Sequence, residues 1–362
     1  MDLATLDIID ADGHVYEPDT ELRAYLPAPY AGRETVGGFA LWPSADGFQR
    51  GAIHARLGIH ERFETSADSW LAFLDGAGIH ATVLYPTLGL AAGLIRDRDW
   101  AAALARAYND WLADRYLRAS TRLHGVAVLP LQDPGAAAGE LRRAVVDLGM
   151  VGGVLPATGL PRPLGHADYD PVYAAAEALD CPLAVHGGPS AGLGLDQLDA
   201  FAQVHTLSHP FAQMRQLTSI VMSGVLDRFP RLRLAFLEAG IGWVPFLAER
   251  MDRAYAVRKL PEYVGGVRHP PSSYLTAGNV FFSPDPGERG LAYAASVLGT
   301  DTLLFASDFP HEVNLPRCRD EIAALAARDD LPAPARAQIL GANARRFYRL
   351  AGAPARRADH RG

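Results

Sequence analysis

Short apolar runs alternate with helix-like segments along most of the chain. Most runs are continuous and lack polar alternation, as is typical of strands buried on both faces of a sheet. Alternation of such strands with helices predicts βα units around a parallel sheet. We predict eight strands, at Leu6–Ile9, His80–Tyr85, Leu123–Leu129, Val151–Leu155, Pro182–Val185, Leu232–Leu237, Val280–Ser283 and Leu303–Ala306.

Helices are predicted in the segments between the strands. Asp97–Arg118 repeats large apolar residues at helical spacing. Asp133-Pro134 and Asp170-Pro171 each place an acid suited to an N-cap before a proline suited to a first turn. The pattern predicts further helices at His209–Leu226, Trp243–Val257 and Pro332–Leu350.

One segment has no clear period. Residues 17–66 are rich in Pro, Gly and polar residues and are too long for an ordinary βα loop. As an insertion after the first strand they should lie over the catalytic face, either as a lid or as a surface excursion. No repeat or low-complexity linker divides the chain, which predicts a single domain over residues 1–350 and a flexible tail over 351–362.

Composition narrows the classes of function. The chain has 362 residues and a formal net charge of −7, without a clustered stripe of basic residues. Nucleic acid binding needs local positive charge, so a small-molecule substrate is expected instead. Lys259 is the single lysine and is followed by Leu-Pro in a loop-like context, which disfavours Schiff-base, P-loop and lysine-bridged metal chemistry.

Cysteine content and hydropathy bear on the compartment. With only Cys181 and Cys318, a disulfide framework or a cysteine-rich zinc site is excluded. The apolar runs are too short to span a bilayer, and Met1–Ile9 lacks the basic and apolar regions of a signal peptide. We therefore expect a cytoplasmic protein without a membrane partner.

Side chains that can bind metals follow four of the apolar runs. Asp12 and His14 follow the first run, His186 the fifth, Glu238 the sixth and Asp308 the eighth. In a parallel barrel the ends of the strands converge on one active site. Residues two apart on an extended segment point the same way, so Asp12 and His14 can bind one ion. Taken singly, each has a structural explanation, such as a capping histidine; together they predict a metalloenzyme.

Five motifs in this order resemble the amidohydrolase-related family, which includes aminocarboxymuconate-semialdehyde decarboxylase-like and resorcylate decarboxylase-like enzymes. The resemblance covers nearly the whole chain. The motifs are Asp10-Ala-Asp-Gly-His14, His186-Gly-Gly, the stretch from Phe229 to Pro245, Ser307-Asp-Phe-Pro-His311 and Gly341-Ala-Asn-Ala-Arg-Arg346.

The resemblance implies a (β/α)₈ TIM barrel of the metal-dependent hydrolase type with one divalent metal ion, Zn²⁺ or Mn²⁺. Position by position, His14, His186 and Asp308 match metal ligands of the family, and Asp12 stands where the first histidine of its His-x-His often lies. The resemblance also implies a homo-oligomer, expected to be a dimer. No organic cofactor is expected.

Glu238 departs from the family pattern, because many members carry a histidine there that handles substrate or water. A buried acid can shuttle protons or add a metal ligand. His205, His209 and His311 are the histidines expected to substitute for the missing one. A separate set of aromatic residues can either wall a planar substrate or pack in the core, namely Tyr85, Trp243 and Phe309.

Three functions remain open on the sequence. The first is a non-oxidative decarboxylase of a small aromatic or enol-type carboxylic acid, in which Asp308 or a nearby histidine protonates the carbon that loses CO₂. The second is hydrolysis of an amide, lactone or C–C bond by metal-activated water, with Asp308 as base and Glu238 as proton relay. The third is a ligand-binding barrel without turnover, which predicts no stoichiometric metal.

Overall fold

The computed structural model describes residues 3–31, 40–45, 65–257 and 265–351. Within these residues seven strands form one parallel sheet, each paired with the next along the chain. The strands are β1 (Ile9–Val15), β2 (Ala81–Pro86), β3 (Leu123–Val128), β4 (Gly152–Pro156), β5 (Leu183–His186), β6 (Leu234–Leu237) and β7 (Val280–Phe282).

Helices connect successive strands, as a parallel sheet requires. The α-helices of the described residues are α1 (Asp19–Leu22), α2 (Ala67–Ala77), α3 (Arg98–Leu112), α4 (Pro134–Val146), α5 (Asp170–Leu179), α6 (Phe201–Met222), α7 (Val225–Arg228), α8 (Trp243–Val257), α9 (Pro271–Leu275), α10 (Leu291–Leu298), α11 (Leu315–Ala327), α12 (Ala333–Ala337) and α13 (Asn343–Tyr348). Single turns of 3₁₀-helix lie at Leu3–Thr5, Arg23–Tyr25 and Ala167–Tyr169, with a longer one at Leu88–Leu94, and π-helical turns lie at Ala113–Leu117 and Gln338–Ala342.

The segment predicted as an eighth strand does not form a ladder. Leu303 makes one parallel bridge to Phe282 of β7. On the other side, Ala11 of β1 donates its backbone N–H to the carbonyl of Phe305 at 2.9 Å. The N–H of Phe305 instead donates to Ile339, in the π-helical turn Gln338–Ala342. Because the turn takes that hydrogen bond, the segment lies between β7 and β1 without continuous strand pairing.

The first strand lies later in the sequence than predicted. The prediction ended it at Ile9, whereas β1 begins there and runs to Val15, so Asp12 and His14 lie within the strand. Hydropathy suggested an early end because the strand contains Asp10, Asp12 and His14, all of them buried. A shift of register between Asp10 and Gly13 marks an irregularity in its pairing with β2.

Two helix starts also differ from the prediction. Asp133 caps α4 by accepting from the N–H of Ala136 at 3.0 Å, as expected. Asp170 does not cap α5: it is the first residue of the helix, and its carboxylate binds the guanidinium of Arg228 at 2.8 and 3.0 Å. The helix predicted to begin at His209 begins at Phe201 and continues through Pro210 to Met222. The first difference arises because Asp170 forms an ion pair in place of a cap, and the second because the helix continues through a proline.

A single hydrophobic core cluster extends from β1 to α13. Of the predicted insertion, residues 17–31, 40–45 and 65–66 are described, and Leu41 and Trp42 there are buried in that cluster. Residues 32–39 and 46–64 lie outside the described residues, as does the predicted tail after residue 351. None of the helices in the described ranges combines the length and the apolar character needed to cross a bilayer.

Gly341, in the π-helical turn Gln338–Ala342, packs against the backbone just before β1. A Cβ at this position would lie 1.8 Å from the carbonyl oxygen of Asp7. We expect Gly341→Ala to lower the free energy of unfolding by about 1 to 3 kcal/mol, because backbone must move to admit the methyl group. Urea denaturation measures the effect. Gly139→Ala is the matched control: nothing lies within 4 Å of its Cβ position on α4, so this variant should be neutral or slightly more stable.

Candidate metal centre

Asp10, Asp12 and His14 are alternate residues of β1, and the strand buries all three. Asp10 accepts hydrogen bonds from the hydroxyl of Thr82 on β2 at 2.7 Å and from the N–H and hydroxyl of Ser307 at 2.8 and 2.9 Å. Burial raises the pKa of Asp10 to about 6. Its hydrogen bonds hold β1, β2 and the segment before Asp308 in register, a role that the sequence analysis did not assign to it.

Asp12, His14 and His186 bring their donor atoms together. His186 Nε2 lies 3.2 Å from Asp12 Oδ2, and His14 Nε2 lies 3.5 Å from Asp12 Oδ1. All three side chains are at most 1% exposed. The other nitrogen of each ring faces a carbonyl: His14 Nδ1 lies 2.9 Å from Pro86 O, and His186 Nδ1 lies 2.9 Å from Gly187 O. These contacts orient both Nε2 atoms toward the shared centre, in the manner usual for metal-binding histidines.

Asp308 and Glu238 approach the same centre from the neighbouring elements. Asp308 Oδ1 lies 3.5 Å from His14 Nε2, and Glu238 Oε2 lies 3.4 Å from His186 Nε2. His14, Glu238, Asp308 and His311 each offer a ligand atom within 4.8 Å of the others. The structure thus brings together all four residues predicted to bind metal and adds Glu238 beside them.

Unpartnered buried atoms test whether these residues fit a cation. Asp12 Oδ1, His14 Nε2 and Glu238 Oε2 are buried and make no hydrogen bond. Leaving such atoms unpaired costs free energy that a bound cation would remove. Two donors each about 2.1 Å from one ion at a tetrahedral angle lie roughly 3.4 Å apart. The observed separations of 3.2 to 3.5 Å agree with that value, so the set fits a divalent metal ion.

Burial dominates the pKa shifts at this centre. Burial raises the pKa of Asp308 to about 7, and burial together with Asp308 raises that of Glu238 well above its usual range. Burial disfavours charge on His186 as well, but Asp12 and Glu238 outweigh it and raise the pKa of His186 to about 9. Burial and nearby His311 hold the pKa of His14 well below its usual range. A bound divalent cation would offset the cost of burying these carboxylates in their charged form.

Glu238 and Asp308 share an unusual backbone conformation. Their φ angles are +56° and +54°, in the left-handed region that residues other than glycine rarely adopt. Each is held from a neighbouring element: Ser283 Oγ accepts from the N–H of Glu238 at 2.9 Å, and Asp12 O accepts from that of Asp308 at 3.0 Å. The strain turns both carboxylates toward the centre, as is common where function dictates backbone geometry.

His205 and His209 lie on α6, in its second and third turns, beside the same centre. The ring of His209 packs against Gly187, where a Cβ would lie 2.2 Å from its Cδ2 atom. His209 Nδ1 contacts Ser208 Oγ at 3.1 Å, and its Nε2 lies 3.5 Å from Glu238 Oε1. Burial and His186 lower the pKa of His209 to about 3, which keeps its ring neutral. The centroid of the His205 ring lies 5.0 Å away.

His311 lies on the opposite side of the centre. Its Nδ1 is 2.8 Å from Asp308 Oδ1, and its Nε2 is 2.9 Å from Thr87 Oγ1. Its ring stacks on that of His14 with centroids 4.1 Å apart. His311 therefore links Asp308 to the loop after β2.

Asp12 and Asp308 line a cavity of about 700 Å³. Among the described residues that line this cavity, Arg317 is the one arginine, and the other ionisable side chains are carboxylates or histidines. The three aromatic residues proposed as a substrate wall do not line it. Tyr85 is buried and bonds Tyr348, Phe309 stacks on Phe73, and Trp243 packs edge-on to Phe282. The cavity lining also contains Asp12, His205, His209, Glu238, Asp285, Asp308, Glu312, Asp320 and Glu321.

Glu17 supports the loop over this region and was not singled out from the sequence. It is fully buried, and its carboxylate accepts from the N–H groups of Gly89 and Thr87 at 2.6 and 3.1 Å. Burial raises its pKa from 4.5 to about 7. Between these values the unfolded chain has released the proton that the folded chain retains, so a rise in pH favours unfolding.

We therefore expect Glu17→Gln to change the pH dependence of stability. As pH rises from 5 to 8, wild type should lose stability relative to this variant, because glutamine has no proton to release. Urea denaturation at intervals over that range measures the difference. Glu249→Gln, an exposed substitution on α8, is the control. A difference between wild type and Glu17→Gln that stays constant with pH would contradict the expectation.

A family model described as amidohydrolase matches residues 9–350. A γ-resorcylate decarboxylase of Rhizobium radiobacter is 31% identical over 296 residues, covering 79% of this chain and 88% of that protein. The solved 2,6-dihydroxybenzoate decarboxylase from Rhizobium superposes with a TM-score of 0.71 at 25% identity, covering 96% of this chain and 100% of that one.

The structure of a dihydroxybenzoic acid decarboxylase from Polaromonas sp. JS666, with bound manganese and the inhibitor 2-nitroresorcinol, superposes with a TM-score of 0.73 at 23% identity. It covers 96% of this chain and 98% of that one. At this identity the likeness concerns the fold.

Proposed function

Because the chain belongs to the amidohydrolase family, we propose that it is a metal-dependent, non-oxidative decarboxylase of a small aromatic carboxylic acid. The observation that carries the proposal is the convergence of Asp12, His14, His186 and Asp308 beside a cavity that Asp12 and Asp308 line, with Asp12 Oδ1 and His14 Nε2 buried and without hydrogen-bond partners. The γ-resorcylate decarboxylase of R. radiobacter, which resembles most of the chain, supports decarboxylation over hydrolysis.

Asp12, His14, His186 and Asp308 would hold one divalent metal ion. Manganese is bound in the Polaromonas decarboxylase, and Zn²⁺ is the alternative for this set of nitrogen and oxygen ligands. When bound, the ion supplies positive charge that stabilises the oxygens of a substrate during reaction. The contacts of His14 with Pro86 O and of His186 with Gly187 O fix both imidazoles in the form that binds a cation.

Asp308 is the proposed proton donor, and His311 is its partner. Burial raises the pKa of the metal-free Asp308 carboxyl, whereas a bound metal ion would lower it, so Asp308 receives the proton that it transfers through its contact with His311. In the reaction the bond between ring carbon and carboxylate breaks, and its electron pair stays on the ring carbon. The proton of Asp308 then forms the new C–H bond as CO₂ leaves. His311 Nδ1, 2.8 Å from Asp308 Oδ1, returns a proton to the aspartate.

Glu238, His209 and His205 also line the cavity. In the proposal Glu238 replaces the histidine found there in many relatives. His209 is a neutral imidazole at working pH, since its pKa is lowered to about 3 by burial and His186. Its unprotonated ring nitrogen is therefore available as an acceptor, toward either a hydrogen-bond donor or a cation.

The proposal includes a closed barrel made by a single domain of residues 1–350. In this proposal Leu303–Ala306 takes the position of the eighth strand, supported by its bridge to β7 and by the hydrogen bond from Ala11 of β1. The described part of the predicted insertion, around Leu41 and Trp42, packs on this barrel. The dimer implied by family resemblance stays a prediction, which sedimentation velocity can check.

A substrate panel tests the proposed activity. Purified protein loaded with Mn²⁺ is incubated with 2,6-dihydroxybenzoate, other hydroxybenzoates and, for hydrolysis, aryl amides and lactones. We expect CO₂ release from a hydroxybenzoate, formation of the matching phenol, and one deuterium on the ring carbon in D₂O. Release should stop after chelation and return with Mn²⁺. Hydrolysis of an amide or lactone without any CO₂ release from the acids would overturn the proposal.

A further inference from the structure

The structure holds a second cluster of metal-binding side chains beside the centre described above. His205, His209 and Glu238 each offer one ligand atom, and these three atoms lie within 4.8 Å of one another. We propose that this cluster binds a second divalent cation, with Glu238 bridging the two metal ions.

Helix α6 sets the geometry of the two histidines. His205 and His209 are four residues apart, so their side chains lie on one face of the helix in consecutive turns. Their ring centroids are 5.0 Å apart. Two imidazoles at this spacing, joined by a carboxylate from another element, form a donor set suited to Zn²⁺ that leaves one position open for an exogenous ligand.

Packing fixes the orientation of His209 in this cluster. Gly187, directly after the metal-binding His186, leaves room for the ring, and Ser208 Oγ contacts Nδ1 at 3.1 Å. The remaining nitrogen, Nε2, faces Glu238 Oε1 at 3.5 Å. That separation is the same as between His14 Nε2 and Asp12 Oδ1 in the first set.

Glu238 directs one carboxylate oxygen toward each cluster. Oε1 faces His209, whereas Oε2 lies 3.4 Å from His186 Nε2 and makes no hydrogen bond. The left-handed backbone at φ +56° holds the side chain between them. A carboxylate in this position can bind one metal ion through each oxygen, which is the arrangement of a two-metal site.

The charge of the cavity supplies a separate reason for a second cation. Among the described residues its lining carries Asp12, Glu238, Asp285, Asp308, Glu312, Asp320 and Glu321 against one arginine, Arg317. If the substrate is a carboxylate, as the proposed function states, one divalent ion leaves this wall strongly anionic. A second ion at His205, His209 and Glu238, which all line the cavity, would offset that repulsion.

Metal stoichiometry tests the proposal directly. Full-length protein is stripped with a chelator and dialysed against Zn²⁺, and the ions retained per chain are counted by plasma mass spectrometry. We expect two ions in wild type and one in His205→Ala. His166→Ala, an exposed histidine remote from both sets, should retain two. Gly187→Ala should also retain one ion. Its Cβ would displace the His209 ring, although none of the proposed ligand residues is replaced.

Variants of the first set separate this proposal from the proposed function. If wild type retains one ion that His186→Ala loses and His205→Ala keeps, the second site is wrong and the single-metal decarboxylase stands. If wild type retains one ion that only His205→Ala loses, the first centre and the proposed function are both wrong.

Bridging by Glu238 is tested with Mn²⁺. Two Mn²⁺ ions that share Glu238 give an exchange-coupled electron paramagnetic resonance spectrum, and Glu238→Gln should remove the coupling. Wild type with two uncoupled ions would overturn the bridge.

Discussion

Asp308→Asn should lower kcat for decarboxylation by about 10²- to 10⁴-fold, the range typical for loss of a general acid. Asparagine matches aspartate in size and tolerates a left-handed backbone, so the φ of +54° at this residue is retained. It carries no proton that can be transferred to the ring carbon. The loss should therefore appear in kcat at saturating substrate and Mn²⁺.

Metal content must be measured alongside, because Asp308 also belongs to the metal-binding set. Rates are compared at Mn²⁺ concentrations that saturate each variant. Asp329→Asn is the matched control, since this aspartate is exposed and does not line the cavity. A metal-saturated Asp308→Asn enzyme that retains more than about a tenth of wild-type kcat would show that the proton comes from another group.

His186→Ala should weaken Mn²⁺ binding at the first centre by at least about 100-fold, more than is usual for loss of a residue that only supports a ligand. The substitution removes the Nε2 atom that lies 3.2 Å from Asp12 and 3.4 Å from Glu238. It also leaves those buried carboxylates without their neighbouring cationic group. Isothermal titration calorimetry of the stripped protein with Mn²⁺ gives the affinity.

Activity should fall with metal affinity in this variant and return in part when the Mn²⁺ concentration is raised. His166→Ala serves as the control for loss of a histidine. Unfolding is monitored by circular dichroism, because a buried site has been emptied. Unchanged Mn²⁺ affinity in folded His186→Ala protein would remove this histidine from the metal-binding set.

The sequence predicted the family and the parallel βα organisation, and it singled out four residues as metal ligands that the structure brings together, because each of these features has a local signature. Apolar runs mark buried strands, and a polar residue at the end of such a run marks a site where strands converge. His186 illustrates this: it is the last residue of β5 and points into the centre. The family predicted from the motifs is confirmed by the amidohydrolase family model, which matches residues 9–350.

Features that depend on distant partners could not be predicted. The continuation of β1 through Asp10, Asp12 and His14 depends on hydrogen bonds to Thr82 and Ser307. The left-handed backbone of Glu238 and Asp308 leaves no mark in composition, since neither residue is a glycine. The early start of α6 was hidden because Phe201–Met222 has no strong apolar stripe and contains Pro210.

Asp10 and Ser307 join β1 to the segment that follows Leu303, across 297 positions in sequence. Asp12 and Asp308, which would bind the same ion, are their close neighbours in sequence. The ion therefore gains its full set of ligands only after the first and last βα units have met. Metal uptake should consequently follow long-range assembly during folding, and tight binding should slow global unfolding and not merely stiffen a local loop.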